Sequence, residues 1–301
     1  MKPRFIYSAF LLLILTSSCN SNTSAPEKKA DTTVQVATEK GGENYTYDLG
    51  KPAKKWNLPG DLMEISGNAW VDKNHLLAIE DLRPVLYLIR LDDSAVVEKK
   101  IPFHQTSKEK FDVEDVTIVD HTAYAIYSHG KIFKIDNWDD KPAVKEITTF
   151  LGKENNTEGI CYDPVLNNLL VSCKNKSGIE DEKKSTHAIY EFDLKSEALK
   201  EAPFMLIHKK DISKMGGEKL EFYPSAVAVQ PKTNDIYILS TKGSKMLAEY
   251  SHSGVLKAIQ MLDPNLLPQP EGICFSPDGV MYISTEGKHG TPAAIYQFNS
   301  K

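Results

Sequence analysis

The sequence predicts an all-β fold, a five-bladed β-propeller with four antiparallel strands in each blade. Two observations support this prediction: a short motif occurs five times, and strand-length apolar runs separated by turns follow each occurrence. The spacings between successive motifs are 48, 44, 67 and 46 residues. Short strands of this kind cannot bury their own faces, so each unit requires neighbouring copies. A period in the forties is typical of a propeller blade.

The repeat unit is clearest between residues 269 and 299. Its first apolar run, residues 272–275, ends in the turn Ser-Pro-Asp-Gly, in which proline sets φ and glycine tolerates a positive φ. Two further runs, at 280–284 and 294–298, contain several β-branched and aromatic residues. These three runs predict an antiparallel meander.

One anchor residue at the start of the first strand aligns all five copies. The anchors are Ser66, Glu114, Glu158, Ser225 and Glu271. Five anchors predict five blades. Six blades is the alternative count, but it requires a hidden blade within 174–222, where the sequence has no second anchor.

The two ends of the repeat region together make up one blade. Thirty residues follow Glu271, and 21 residues separate Tyr45 from Ser66; together they give a period of about 51, close to one blade. We therefore expect residues 45–49 or 54–58 to supply the outer strand of the last blade. This strand would close the ring and leave no open sheet edge.

The interval between Glu158 and Ser225 is the widest and carries two polar segments. Residues 174–184 predict a loop between strands, and residues 208–221 can hold one helical turn at 211–214 before a Gly-Gly pair. We expect both insertions on one rim of the propeller, where loops often carry function.

Residues 1–18 are predicted to be a signal peptide. Lys2 and Arg4 provide a positive start, and the apolar run at 5–15 is too short to span a bilayer as a helix. Small residues then precede Cys19, which resembles a bacterial lipoprotein signal whose cysteine becomes the lipidated N-terminus. An ordinary secretory signal with an incidental cysteine is the alternative.

The segment 19–44 is rich in polar residues and predicts a flexible tether, which leaves 45–301 as the propeller domain. No acidic cluster follows Cys19, which favours a periplasm-facing anchor and leaves surface exposure open. Without residues 1–18 the chain has 34 basic and 41 acidic residues, a net charge of −7, which argues against a nucleic-acid partner. We expect the protein to be a monomer that is anchored to a membrane by its lipid. We expect its partner to be a small ligand or an envelope protein.

Three cysteines remain in the propeller domain, Cys161, Cys173 and Cys274. None belongs to a CxxC or Cys/His metal spacing. The repeat register places Leu170 opposite Cys161, so we expect buried thiols rather than a Cys161–Cys173 disulfide.

Five short segments carry a resemblance to a known family. They are EISG at 64–67, FDVEDV at 111–116, TEGI at 157–160, PSAV at 224–227 and PEGI at 270–273. This ordered series resembles that of the SdiA-regulated, YjiK-like propellers, which are similar to NHL-repeat propellers. The resemblance covers nearly all of 45–301 and implies five blades and a bound calcium ion, and it leaves the biochemical activity open. Asp115 and Ala226 depart from the series because each stands in place of a glycine.

The anchors predict a functional site because the first strand of each propeller blade lines the central channel and starts at one mouth. The end of each second strand lies beside that start and faces the same mouth. The residues expected around the mouth are Ser66, Asp81, Glu114, His129, Glu158, Asn175, Ser225, Lys242, Glu271 and Glu286, with Glu64 two positions before an anchor.

Carboxylates dominate this ring and thiols are absent from it, which indicates a hard cation. We expect Glu114, Glu158 and Glu271 to share a calcium ion, with Glu64 as a further ligand. Without a cation, repulsion between the carboxylates should raise the pKa of at least one of them. The alternative is that these glutamates pair with lysines or with strand-edge amides.

Two functions are compatible with such a mouth. A noncatalytic calcium-binding propeller would use it to recognise a small ligand or a protein. A calcium-dependent hydrolase, similar to lactonases and esterases among relatives of NHL propellers, would use His129, Glu286 or Asp81 as its general base. The sequence contains neither a Gly-x-Ser-x-Gly nor a His-Glu-x-x-His motif, which favours the noncatalytic function.

Overall fold

The computed structural model of the chain describes residues 45–105, 111–180, 185–288 and 290–301. These residues form five sheets, each of four antiparallel strands. Three of the predictions, the signal peptide at 1–18, lipidation of Cys19 and the tether at 19–44, lie outside the described residues. Within the described ranges, no helix is both long enough and apolar enough to cross a membrane.

The strands follow one another along the chain, blade by blade. In chain order they are β1 (Lys54–Asn57), β2 (Ile65–Asp72), β3 (His75–Glu80), β4 (Arg83–Leu91), β5 (Ala95–Pro102), β6 (Val113–Val119), β7 (Thr122–Tyr127), β8 (Ile132–Asp136), β9 (Ala143–Ile147), β10 (Thr157–Asp163), β11 (Asn168–Cys173), β12 (Thr186–Asp193), β13 (Ala198–His208), β14 (Pro224–Val229), β15 (Ile236–Ser240), β16 (Met246–Tyr250), β17 (Leu256–Met261), β18 (Pro270–Phe275), β19 (Met281–Thr285) and β20 (Ala294–Phe298). A short 3-10 helix (Gly60–Leu62) follows β1, and an α-helix, α1 (Lys209–Gly216), follows β13.

The first strands of the blades form a closed inner ring. Strand β2 contacts β6, β6 contacts β10, β10 contacts β14, β14 contacts β18, and β18 contacts β2 again. The remaining strands of each blade succeed one another outward from this ring. Five blades of four strands are therefore confirmed. The described part of 174–222, where a sixth blade would have to lie, forms β12, β13 and α1 instead.

The N-terminal strand completes the last blade. Strand β1 pairs antiparallel with β20, with Lys54 opposite Gln297 and Asn57 opposite Ala294. A further bridge joins Tyr47 to Ser300. Of the two predicted segments, 45–49 and 54–58, the second contains the closing strand, and both ends of the repeat region belong to one sheet.

Burial decreases from the inner strands outward. All six residues of β14 are buried, whereas β9 buries only its last residue, Ile147. Inner strands have a neighbouring blade on each face, so apolar residues occupy consecutive positions, as in other sheets covered on both sides. This packing places the five strand starts around one channel mouth.

Helix α1 extends the helical turn predicted at 211–214. It buries Ile212 and ends before Gly217, whose φ of 74° is the left-handed conformation that glycine adopts readily at a helix C-terminus. The Gly-Gly pair in the sequence thus ends the helix, as predicted.

The three cysteines of the propeller are free and buried. Cys161 lies opposite Leu170 in the ladder between β10 and β11, as the repeat register predicts. The expectation of buried thiols without a Cys161–Cys173 disulfide is confirmed.

Candidate functional site

Every inner strand has a β-bulge at its anchor residue. In β10, Thr157 lies opposite Cys173 and Gly159 lies opposite Ser172, so Glu158 has no partner in the ladder. The same irregularity leaves the other four anchors unpaired, namely Ser66, Glu114, Ser225 and Glu271. A bulge re-aims a side chain, and bulges are frequent beside functional sites. The repeated sequence motif is therefore the signature of a bulge at the channel mouth.

The two serine anchors hold the backbone that precedes two of the glutamate anchors. Ser66 Oγ donates a hydrogen bond to the carbonyl of Val113, the residue before Glu114, at 2.8 Å. Ser225 Oγ makes the equivalent bond, at 3.3 Å, to the carbonyl of Pro270, just before the last anchor. Both serines are buried. Their hydroxyls thus join one blade to the next and fix the position of a carboxylate there.

Glu114, Glu158 and Glu271 lie close enough to influence one another's titration. Burial, and then the charges of Glu158 and Asp112, raise the pKa of Glu114 to about 10. Burial raises the pKa of Glu271 to about 8, with Lys174 opposing the rise and Glu158 adding to it. Burial also raises the pKa of Glu158. The expected rise is present, but loss of hydration contributes more to it than repulsion does.

Lys174 supplies a positive charge to this mouth. Its Nζ lies 2.5 Å from Glu158 Oε2, and Asn156 Nδ2 donates to the other oxygen of the same carboxylate. The backbone N–H of Lys174 donates to the Asn156 carbonyl at 2.8 Å, which keeps the start of the polar loop at the mouth. Burial alone would lower the pKa of Lys174, but the charges of Glu158, Glu271 and Glu114 raise it. The alternative expectation, a glutamate paired with a lysine, therefore holds for Glu158.

Glu114 and Glu271 differ from Glu158 because neither accepts a hydrogen bond from any described residue. Lys245 is close enough for its charge to act on Glu271, although it forms no ion pair with it. Across 45–105, 111–180, 185–288 and 290–301, no three His, Cys, Asp or Glu side chains are placed to hold one metal ion. The donor set is nevertheless oxygen only, which suits a hard cation. An ion bound to all three glutamates has to displace the Lys174 ammonium from Glu158.

A second acidic group lies next to the first. Burial, and then the charges of Glu64 and Glu80, raise the pKa of Asp81 to about 6. Burial, and then the charges of Glu64 and Asp81, raise the pKa of Glu286 to about 7. Glu80 is ion-paired with Arg83, whereas Glu64 is exposed. The expected fourth ligand, Glu64, thus acts on Asp81 and Glu286 rather than on the three glutamate anchors.

Three of the residues expected at the ends of the second strands stand one position too far along the chain. In each of these blades, the residue before the anchor pairs with the last residue of the second strand. The residue that faces the mouth is therefore the one directly after the second strand. After β7, β11 and β15 that residue is Ser128, Lys174 and Thr241. A shift of one residue turns a side chain to the opposite face of a strand. The three residues expected from the sequence, one position further on, are His129, Asn175 and Lys242.

The side chains of these three residues have other surroundings. All three are exposed. The ring of His129 packs against Tyr127, with centroids 5.1 Å apart, and Lys242 Nζ lies 5.3 Å from the ring centroid of Tyr223. The backbone carbonyl of Asn175 accepts a hydrogen bond from the ring of His187 at 3.0 Å.

Besides Ser128 and Thr241, two residues of the mouth were not predicted from the sequence, Asp112 and Lys174. Asp112 accepts a hydrogen bond from Ser128 Oγ at 2.5 Å, and its charge acts on Glu114. It stands two positions before an anchor, as Glu64 does, so the repeat register could have identified it. Lys174 opens a run of polar residues that resembles an ordinary solvated loop, and nothing in its local sequence marks it as buried.

A closed ring of five four-stranded blades, with an acidic mouth at the starts of its inner strands, defines a five-bladed β-propeller. The profile of the SdiA-regulated family matches residues 43–299 of this propeller. The chain belongs to the SdiA-regulated family. No curated protein matches it in sequence.

Two solved structures are similar to this chain in fold. Glutaminyl cyclase from Myxococcus xanthus is 12% identical, with a TM-score of 0.56 over 83% of this chain and 96% of the other. The PQQ-bound aldose sugar dehydrogenase from Streptomyces coelicolor is 11% identical, with a TM-score of 0.51 over 83% of this chain and 98% of the other. At these identities the similarity concerns the fold alone.

Proposed function

We propose that this SdiA-regulated propeller is a noncatalytic binding module of the bacterial cell envelope, and that its acidic mouth binds a calcium ion. One observation carries the proposal: the charge of Glu158 acts on both Glu114 and Glu271 at the mouth, yet no described residue donates a hydrogen bond to either of them. A partly buried carboxylate without a donor gains from taking up a proton or a cation.

Calcium is the cation that suits these residues best. It accepts six to eight oxygen ligands in flexible geometry, whereas Mg²⁺ requires a tight octahedron and retains its waters. Zinc prefers nitrogen and sulfur ligands, and the three anchors offer only carboxylates. Glu114, Glu158 and Glu271 would hold the ion, and Lys174 would compete with it for Glu158.

Calorimetric titration tests the cation. The full chain with Cys19→Ala, which removes the lipidation site, is stripped with EDTA and titrated with Ca²⁺ and then Mg²⁺. We expect saturable heat and a rise in Tm with Ca²⁺, about 2.7 kcal/mol of stabilisation at a hundredfold excess over Kd, and a weaker response to Mg²⁺. Glu271→Gln should abolish the response, and Glu201→Gln, at an exposed glutamate of β13, should retain it. If the folded, metal-free protein shows neither heat nor a shift in Tm with millimolar calcium, the calcium site is refuted.

The location in the cell envelope is a separate part of the proposal and depends on Cys19. A lipidated Cys19 would anchor the propeller to a membrane on its periplasmic side, with a small ligand or an envelope protein as its partner. In cell fractionation, the Cys19→Ala protein should move from the membrane to the soluble periplasmic fraction. Membrane retention together with an unmodified Cys19 in the intact mass would contradict the anchor.

A calcium-dependent hydrolase is the second candidate function, and the second acidic group favours it. The pKa of Glu286 is raised to about 7 and that of Asp81 to about 6, chiefly by burial. Carboxyls that titrate near neutral pH suit a general base. His129 is a weaker candidate because it is exposed and packs against Tyr127. Calcium-dependent turnover of an aryl ester or a lactone that Glu286→Gln abolishes would favour the hydrolase over the binding module.

A further inference from the structure

The channel has a second mouth, formed by later residues of the same five inner strands. Every blade begins with its inner strand at the acidic mouth, so residues four positions beyond the anchors lie about 13 Å along the channel at about 3.3 Å per residue. A cavity of about 280 Å³ is open there. Aromatic and proline side chains contribute much of its lining, namely Trp70, Tyr162, Phe275, Pro164, Pro231 and Pro277.

No Asp, Glu, His, Lys or Arg is among the described residues that line this cavity, which separates it from the acidic mouth. Small residues occupy the third position beyond the anchors and leave room between the larger side chains. These small residues are Ala69, Thr117, Cys161, Ala228 and Cys274. A volume of about 280 Å³ equals that of about nine molecules of liquid water. The cavity therefore suits a small and mainly apolar molecule.

Asn68 differs in chemical type from the residues at the equivalent position of the other four inner strands. It is the second residue beyond its anchor and is 2% exposed. The equivalent residues of the other four blades are all buried and β-branched, namely Val116, Ile160, Val227 and Ile273. An aliphatic side chain thus satisfies this position in every blade but the first, and packing does not explain the asparagine.

The amide of Asn68 has no hydrogen-bond partner among the described residues, at either Oδ1 or Nδ2. Trp70, two positions further along β2, also has a buried and unpartnered Nε1. Both residues line the cavity. Native proteins rarely leave buried polar groups unpaired, so three unpaired atoms on one cavity wall indicate a missing partner.

We propose that this second mouth binds a small, neutral, mainly apolar molecule that carries a secondary amide. The amide N–H of the ligand donates to Asn68 Oδ1, and its carbonyl oxygen, on the opposite edge of the trans amide, accepts from Trp70 Nε1. A second acceptor on the ligand can take an N–H of Asn68 Nδ2. The apolar walls exclude a charged ligand, since an ion would lose its hydration without a counter-charge. The site does not depend on the cation at the acidic mouth.

The geometry around Gly272 limits the alternatives. A Cβ built at this glycine would lie 2.9 Å from Asn68 Nδ2 and 2.4 Å from Ser284 Oγ, so both groups approach the same backbone. Ser284 Oγ is also without a partner among the described residues. An ordered water between Asn68 and Ser284 is therefore the competing explanation for the unpaired amide.

A matched pair of probes tests the proposal. N-hexylacetamide has the required N–H and carbonyl, and hexyl acetate has the same shape without the N–H. Calorimetry and tryptophan fluorescence are recorded with the full chain carrying Cys19→Ala. We expect saturable binding of the amide and affinity for the ester weaker by about tenfold, the value of one net hydrogen bond.

Asn68→Val tests the role of the asparagine, because valine or isoleucine fills this position in the other four blades. We expect it to fold, to weaken N-hexylacetamide by about tenfold and to leave hexyl acetate unchanged. Trp70→Phe removes the indole N–H donor together with part of the ring, and Leu82→Ala, at an exposed leucine outside the cavity, serves as the control. Equal affinity of the parent and Asn68→Val for the amide would overturn the proposal. So would the absence of saturable binding at 10 mM together with a crystal structure that shows only water between Asn68 and Ser284.

Discussion

The channel of this propeller has one mouth formed by Glu114, Glu158 and Glu271 and another formed by Asn68, Trp70 and Phe275, and the same five strands build both. At the first mouth the bulges release one side chain per strand from the ladder, so charged residues can point at water and at one another. From the second to the fourth position beyond the anchors, the ladder is regular and each face packs against a blade. There only apolar residues are tolerated without a partner.

The two mouths also differ in how their unpaired polar groups respond to the solution. At the acidic mouth the groups without donors are carboxylates, which can take up protons or cations. At the apolar mouth they are amide and indole groups, which do not titrate near neutral pH and can be satisfied only by a hydrogen-bonding molecule. Changes in pH and metal should therefore act on one mouth, and changes in neutral ligands should act on the other.

The largest effect should follow from opening the ring, because both mouths require its closure. A chain that begins at residue 62 lacks β1 and the buried side chains of Trp56 and Leu58, whereas one that begins at residue 40 retains them. We expect the shorter chain to lose at least about 5 kcal/mol of unfolding free energy, since loss of one buried Trp alone costs about 3–5 kcal/mol. Equal thermal midpoints for the two chains would show that closure lies elsewhere.

The next largest effect should come from Lys174→Met at the acidic mouth. The change leaves Glu158 buried without its lysine, so the carboxyl has to carry an unpaired charge or take up a proton, and breaking such a pair costs about 3 kcal/mol or more. Urea unfolding at pH 7.5 in EDTA measures the loss, and added Ca²⁺ should restore more stability than it gives to the parent. Lys176→Met removes a neighbouring but exposed lysine, paired with Glu154, and should leave the midpoint nearly unchanged. Equal losses in the two variants would mean that the pair at Glu158 is no stronger than a surface pair.

Stability should fall with rising pH through the carboxyls of the acidic mouth. The folded-state pKa of Glu271 is about 8, above its ordinary value of 4.5, so the folded protein binds more protons than the unfolded chain between these values. The unfolding free energy should then fall as pH rises from 5 to 8, by up to about 1.4 kcal/mol per pH unit for each such carboxyl. Denaturant unfolding is measured at several pH values. The slope of unfolding free energy against pH should be shallower for Glu271→Gln in EDTA, and for the parent in Ca²⁺, than for the parent in EDTA. Asn68→Val should retain the parental slope, and a flat parental profile would contradict the raised pKa.

The smallest effect should be a gain in stability at the apolar mouth. Asn68→Val removes a buried amide without partners and supplies the β-branched side chain found in the other blades. Without ligand, we expect the variant to be about 1–2 kcal/mol more stable than the parent. Thermal unfolding with and without N-hexylacetamide measures the gain and should show that the amide stabilises the parent more than the variant. A destabilised variant would mean that Asn68 has a structural partner.

The fold could be predicted from the sequence because each anchor marks a bulge, and a bulge is a local feature that recurs with the blade. The closing strand followed from the length of the two ends of the repeat region. The partners of the anchors could not be predicted in the same way. Lys174 and Ser128 were missed because the ends of the second strands were assigned one position too late, and nothing local distinguishes Lys174 from a solvated lysine. The unusual position of Asn68 is visible in the aligned sequence, but its lack of a partner depends on how two blades meet.

The bonds from Ser66 to Val113 and from Ser225 to Pro270 imply that the blades are not interchangeable modules. Each serine blade stands directly before a glutamate blade and holds its carboxylate in place. A circular permutation that reopens the chain at another blade boundary would preserve every such neighbour. Exchange of two blades would separate a serine from the glutamate it supports while keeping all five repeats. The positions of the carboxylates at the acidic mouth therefore depend on the cyclic order of the blades as well as on the blade sequences.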